Sequence, residues 1–405
     1  MTLHPGLATR LDGVEESASA AMTEKARLLR VSGAKVISLS SGEPDFPTPD
    51  HAIAAADAAA RAGDTKYPPN NGTAALKAAV QRKFARDNGL DYATGEILIA
   101  NGAKQIIFDA MMATCNPGDE VLVCTPAWIS YNDIARFAGA TIVPVACPQN
   151  NGFKPRAEDI AAAITPRTKW VFLNSPSNPS GAVCTRAEIA AIGAVLLQHP
   201  QLWILTDDIY EHLIYDGIAF ATIAEVVPAL RDRVLTVNGA SKAYAMTGWR
   251  VGYCGGPRAL IAAMENVQGQ STGGITTVAQ AAAVAALDGP QDLLAARAAE
   301  YAGRRDLVAG LLNAIPGIVC HKPQGAFYVF PNIAGCIGKI SAGGRRIETD
   351  ADFTMALLEE HQVATVQGAA YGMSPYFRIS YATDVASLRE GCARIAAFCA
   401  DLRAP

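Results

Sequence analysis

The sequence predicts an α/β protein in two unequal parts: a large domain on a mainly parallel seven-stranded sheet, then a smaller α+β domain. Three observations predict it. Between residues 95 and 255 short apolar runs alternate with amphipathic stretches, the rhythm of strand and crossover helix that gives a parallel sheet covered on both faces. Beyond residue 257 that rhythm breaks into long helical stretches followed by scattered strand-like runs, as expected of a separate domain. A chain of 405 residues, 50% of them apolar, is also long enough to bury one large core and a second, smaller one.

Taken in order, the segment before residue 50 has no strand run of its own and is expected to pack with the small domain. Strands are predicted over 96–100, 120–124, 141–145, 169–174, 202–206, 233–237 and 250–254. Helices are predicted between them, among others over 104–115 and 185–198. The second of these opens with Thr185 and Glu188 at the spacing of a capping box. Helices follow over 257–270, 276–287 and 291–314, then strand runs at 325–330, 363–368 and 376–382, with helices near 351–361 and over 384–402 between and after them. The stretch 338-GKISAGGRR-346 reads as a loop. The expected division is a 1–50 segment, a large domain over 51–290 and a small domain over 291–405.

Composition excludes several functions. With 34 basic and 38 acidic residues the formal charge is -4, which offers no pull toward nucleic acid or an anionic membrane. No apolar run is long enough to span a bilayer. The first twenty residues have no apolar core of a secretory signal. Nine cysteines are scattered singly, without CxxC pairs, as in a protein of a reducing, cytoplasmic compartment. No predicted strand runs into GxGxxG, so a dinucleotide fold is not supported.

In an open α/β sheet, ligands bind beyond the carboxyl ends of the strands, and unusual residues collect there. Gly102, Ala103 and Lys104 follow the first strand, Trp128 the second, Asn178 the fourth, Asp207 and Tyr210 the fifth, and Lys242 the sixth. Singly, each has an ordinary explanation: a solvated loop lysine, a helix-capping aspartate, a packed tryptophan. Their joint position points instead to an electron sink held by an anionic handle. Backbone N–H groups at Ala103 and Lys104, opening a helix, suit a phosphate, and Arg250 adds a bidentate contact. An aspartate at a central strand end keeps a pyridine nitrogen protonated, and a tyrosine hydroxyl supports a phenolate. An amine of depressed pKa forms a Schiff base and then shuttles a proton.

The stretches 42-GEPDFPTP-49, 66-KYPPNNG-72, 102-GAKQ-105, 174-NSPSNPSG-181, 207-DDIYEH-212, 241-SKAYAMTGWRVGY-253, 325-GAFYV-329 and 377-FRISYATD-384 occur in one order across nearly the whole chain. In them the sequence resembles the fold-type I pyridoxal-phosphate-dependent aminotransferases, in particular the bacterial aspartate aminotransferase branch. The resemblance implies pyridoxal 5'-phosphate (PLP) as cofactor and Lys242 as Schiff-base lysine. It implies that Asp207 pairs with the ring nitrogen, that Tyr210 and Asn178 contact the ring oxygen, and that Trp128 stacks on the ring. Ala103, Lys104 and Arg250 would hold the phosphate. Arg378 would clamp the substrate α-carboxylate with Asn178 and the backbone near Gly42. Tyr67 would reach the phosphate from a partner subunit, making a homodimer with shared active sites. The implied reaction is ping-pong transfer from an L-amino acid, aspartate foremost and prephenate or glutamate as further substrates, to a 2-oxo acid such as 2-oxoglutarate.

Two positions depart from the pattern. Many relatives carry a serine where Gly239 stands, leaving Ser241 as the nearby hydroxyl for the phosphate. Relatives that use dicarboxylates carry a lysine where this chain has Glu15, in 11-LDGVEESAS-19; a glutamate lining the substrate pocket repels a distal carboxylate. A donor of aromatic, neutral or cationic type, or a PLP-dependent lyase, therefore stands as the alternative. A ligand-sensing domain without activity lacks room for a DNA-binding module in the forty residues before GEPDF.

Overall fold

The computed structural model describes residues 6–11, 14 and 17–404. Its strands, in chain order, are β1 (Ile37–Ser38), β2 (Ile97–Ala100), β3 (Glu120–Thr125), β4 (Thr141–Ala146), β5 (Thr168–Asn174), β6 (Trp203–Asp207), β7 (Val234–Gly239), β8 (Gly252–Gly255), β9 (Tyr328–Val329), β10 (Val363–Ala364), β11 (Val366–Gln367) and β12 (Phe377–Ser380). Seven of them form one sheet in the order β2-β8-β7-β6-β5-β3-β4. β3 to β7 run parallel, and β8 is antiparallel to both its neighbours.

The strands are continuously apolar because the sheet is covered twice. On one face Leu122, Val171 and Ile204 join a core with the helices Asp50–Arg61, Ala74–Asn88, Arg186–Leu197 and Thr277–Asp288. On the other, Val121, Val123, Trp170, Phe172 and Leu205 pack under the helices Ala103–Thr114, Ser130–Phe137 and Arg258–Gly269. Successive residues thus serve opposite cores, which is the period of two that a strand imposes.

A separate core of Tyr301, Val308, Phe327, Val329, Phe353, Phe377, Ile379 and Ile395 joins the helices Asp292–Asn313, Asp350–His361 and Val385–Asp401 to the sheet β11-β12-β9. The helix Ala18–Val31 places Met22 and Ala26 against Leu358 and Ala364 of this part. The N-terminal segment also supplies β1, which pairs in parallel with β10, so it has a strand the sequence did not suggest. Caps stand where the residue types called for them. Thr185 accepts from Glu188 N–H while the Glu188 carboxylate accepts from Thr185 N–H, and Asp384 accepts from Ser387 N–H.

Several predicted strands came out shorter or divided: the run 325–330 shrinks to β9 and 376–382 to β12. The run 363–368 splits into β10 and β11, which join different sheets. The run 250–254 begins only at Gly252, because Arg250 sits at φ 57, outside the strand region. The nine cysteines are unpaired, and no helix among the described residues is long and apolar enough to cross a membrane.

Candidate active site

The carboxyl ends of β3, β5, β6 and β7 and the turn after β2 open into a cavity of about 830 Å³. It is lined by Gly42, Ala103, Lys104, Trp128, Asn178, Asp207, Tyr210, Lys242 and Arg378 among others. Residues up to 361 positions apart in the sequence, Ser17 and Arg378, therefore meet in one place.

Lys242 lies in the turns that follow β7, and its Nζ donates to Gly42 O at 2.6 Å. Burial first, then the charge of Arg378 and more weakly that of Arg250, lowers its pKa to about 8; Glu43 and Asp207 oppose the shift. Desolvation and Arg378 are thus the larger causes, and Arg250, eight residues along the chain, a smaller one. No carboxylate pairs with Lys242 among the described residues. Its ammonium lies 5.9 Å from the ring centres of both Tyr210 and Phe327.

Asp207 ends β6 and is buried. Tyr131 donates its phenol to Asp207 Oδ2 at 2.7 Å, and Ile209 N–H reaches Oδ1 at a long 3.4 Å. Burial raises its pKa, with the Tyr131 hydrogen bond working the other way. No cation among the described residues lies within ion-pair reach of it. Tyr210 shares a hydrogen bond with Tyr328, O to O 3.0 Å, and burial lifts its phenol well above the ordinary range.

Arg378, on β12, is 3% exposed. Its guanidinium donates to Ser40 O at 2.6 Å, Asn178 Oδ1 at 3.1 Å and Ser19 Oγ at 3.3 Å, and lies over the rings of Tyr328 and Tyr371. Its Nε has no hydrogen-bond partner, and no carboxylate pairs with it among the described residues. Asn178 is itself set by its backbone N–H on Asn174 Oδ1 at 2.9 Å, while Asn174 Nδ2 donates to Asp207 O at 2.8 Å.

Gly102, at φ 86, precedes the helix Ala103–Thr114, whose first turn has no side-chain cap. Arg250 donates to Asn101 O at 3.2 Å and Thr247 O at 2.9 Å. A Cβ at Gly102 would stand 2.2 Å from Arg250 Nη2, and one at Gly252 would stand 2.5 Å from Ala103 N. Two glycines thus let a guanidinium and an uncapped helix start share one spot, a cradle for an anion. Arg250 itself faces a neighbouring opening with Lys104 and Asn101 rather than the cavity wall. Lys104 Nζ lies 5.0 Å above the Trp128 ring.

The donor set fits PLP. A buried carboxylate without a cation suits a protonated ring nitrogen, and a buried guanidinium with a free Nε suits a carboxylate. An uncapped helix N-terminus beside an arginine suits a phosphate, and an amine whose pKa is lowered to about 8 suits an aldehyde. The remaining expected residues stand apart: Ser241 is buried beside Lys242 but does not line the cavity, Tyr67 is fully exposed and away from its own chain's cavity, and Glu15 lies outside the described residues. Sequence reasoning missed Tyr131, Tyr328, Tyr371, Ser19 and the carbonyl of Ser40. Of these only Tyr131, three residues beyond Trp128 on the same strand end, had a positional signal.

The family model for aminotransferases of class I and II matches residues 34–395. The chain belongs to this family. Membership makes it a transaminase and implies dependence on PLP. It is 54% identical over 396 residues to the aspartate/prephenate aminotransferase of Cereibacter sphaeroides, covering 98% of this chain and 99% of that one. It is 52% identical to an aspartate aminotransferase of Rhizobium meliloti, over 97% of this chain and 96% of that one. The crystal structure of the aspartate aminotransferase from Rhizobium meliloti superposes with a TM-score of 0.95 at 51% identity, over 99% of this chain and 100% of that one. That of the Thermus thermophilus aspartate aminotransferase with maleate gives 0.90 at 38%, over 98% and 100%.

Proposed function

We propose that this aminotransferase takes its amino group from a dicarboxylic amino acid, aspartate foremost, and passes it to a 2-oxo acid such as 2-oxoglutarate, with prephenate as a further acceptor. The observation that carries this is the set of cations lining one cavity: Lys242, Arg378 and Lys104. Lys242 is the reactive amine and Arg378 the α-carboxylate clamp, which leaves Lys104 for a second, distal carboxylate, while the backbone N–H groups of its own turn serve the phosphate. The names of the Cereibacter and Rhizobium relatives, and the dicarboxylate maleate in the Thermus one, support the same substrate class.

When bound, PLP supplies an aldehyde to receive the amino group and a cationic ring to accept the electron pair of the broken Cα–H bond. The chain supplies the rest. Asp207 keeps the ring nitrogen charged, Tyr210 donates to the ring oxygen with Asn178, Trp128 covers one ring face, and Arg250 with the backbone N–H groups of Ala103 and Lys104 holds the phosphate. Lys242 Nζ, a free base over about half of its population near pH 8, would take the proton from the donor's Cα and hand it to the cofactor carbon that carried the aldehyde, and would relay a proton the opposite way in the second half-reaction. Arg378, Asn178 and the backbone near Gly42 orient the donor so that this proton faces Nζ. Tyr67 completes the phosphate site from the partner subunit of a homodimer, and the unpaired cysteines suit a reducing cytoplasm.

The test is a panel of aspartate, glutamate, phenylalanine, alanine and lysine as donors with 2-oxoglutarate, run beside Lys104→Met. Aspartate should give the highest kcat/KM, falling roughly tenfold or more in the variant for loss of a charge-assisted contact, with alanine little changed. A neutral or cationic donor ranking first, or product formed steadily with no acceptor present, would overturn the assignment.

A further inference from the structure

We infer that Tyr131 is a positioning residue for this reaction: its phenol anchors one oxygen of Asp207, so that the other stays turned toward the cofactor's ring nitrogen. The inference rests on the reading above that Asp207 partners that nitrogen. The two carboxylate oxygens are not equivalent. Oδ2 takes the short phenol hydrogen bond, whereas Oδ1 has, among the described residues, only the long contact from Ile209 N–H. The well-satisfied oxygen is thus fixed to the protein, and the poorly satisfied one keeps lone pairs for a ligand.

Tyr131 is built to hold still. It sits in the first turn of the helix Ser130–Phe137 and is 2% exposed. Its ring meets Trp128 edge-on at 5.4 Å and Phe172 edge-on at 5.3 Å. Trp128 is the ring-covering residue and Phe172 belongs to β5, the strand beside Asp207. One side chain therefore links the group that covers the cofactor ring to the group that charges it. Burial and the neighbouring Asp207 hold the phenol in its protonated form far above neutral pH, so it is a permanent donor. Donation to the charged form of a buried carboxylate keeps it ionised, and Asn174, holding Asp207 O at 2.8 Å, fixes the backbone beneath it.

The test uses cofactor-free full-length protein titrated with PLP by visible absorbance, together with steady-state kinetics of the reloaded enzyme. Tyr131→Phe keeps the ring contacts and removes only the hydroxyl. We expect PLP affinity to weaken roughly tenfold, the scale of a lost hydrogen bond to a charged group, and kcat to fall with the donor KM nearly unchanged. In an Asp207→Asn background the same substitution should change PLP affinity less than about twofold, because the coupling runs through the carboxylate. Wild-type affinity and kcat in Tyr131→Phe would overturn the inference, as would an equal loss in both backgrounds, which is the mark of packing alone. If Asp207→Asn by itself binds PLP and turns over like the wild type, the assignment of Asp207 fails instead.

Discussion

At the scale of single residues, the site consists of charges left without their natural partners. Lys242, Asp207 and Arg378 are drawn out of water into one cavity, and none is neutralised by another at ion-pair distance. Keeping such groups is costly unless a ligand completes them. The sign of the lysine shift follows: burial and Arg378 disfavour the ammonium, so the free amine is populated from about pH 8 upward rather than near its ordinary value. The rate at which cofactor-free protein captures PLP should therefore rise through about pH 8 and flatten above it; a midpoint near 10 would contradict this. Arg378→Ala leaves the donor's carboxylate unpaired in an apolar wall of Tyr328 and Tyr371. It should cost kcat/KM about 100-fold or more, checked by steady-state kinetics, with Arg378→Lys recovering only part because an ammonium lacks the fork.

At the scale of elements, the phosphate cradle is a contact between β8 and the start of the helix Ala103–Thr114. Gly252 is where that contact is tightest: a Cβ there would lie 2.4 Å from Gly102 C and 2.5 Å from Ala103 N. Both obstacles are backbone, so Gly252→Ala must push the helix start away. PLP affinity should fall roughly tenfold while the protein still folds, with stability lowered by about 1–3 kcal/mol; unchanged affinity in an absorbance titration would refute the cradle. Below this layer, Lys83 pairs with Glu211, which also accepts from Asn88 and Asn238 at 2.6 and 2.8 Å. This buried network ties the helix Ala74–Asn88 to the segments after β6 and at the end of β7, one residue beyond Tyr210 and four before Lys242. The parallel strands and their helices were legible because a strand buried on both faces reads as an unbroken apolar run bounded by turn residues. The reversal of β8 was not, since the run beginning at Arg250 has the same apolar character and only its backbone angle excludes that residue. β9, β10 and β11 are two residues long, too short for any alternation to mark their bounds or their sheet.

At the scale of the whole molecule, the large sheet offers its strand ends and the smaller core brings Arg378 on β12 over them, with Ser19 and Ser40 from the N-terminal segment holding the guanidinium. The residues at strand ends could be found from the sequence, because chain order and strand ends coincide in such sheets. Tyr131 could not be assigned a role, since its partner is 76 residues away, and neither could the carbonyl of Ser40, which carries no side-chain signal at all. Tyr67, fully exposed, belongs to the same scale. If it serves the other subunit, mixing Lys242→Ala with Tyr67→Ala protomers creates hybrids with one complete site. The refolded mixture should then exceed either variant alone in activity; no gain would place Tyr67 outside the site.

The claim beneath all of these is that Lys242 Nζ is the amine that receives the cofactor's aldehyde. Borohydride reduction of PLP-loaded protein, followed by peptide mass spectrometry, tests it most directly. The account predicts a pyridoxyl group on the peptide containing Lys242 and no such adduct in Lys242→Ala; an unmodified Lys242 with the adduct on another lysine would contradict it.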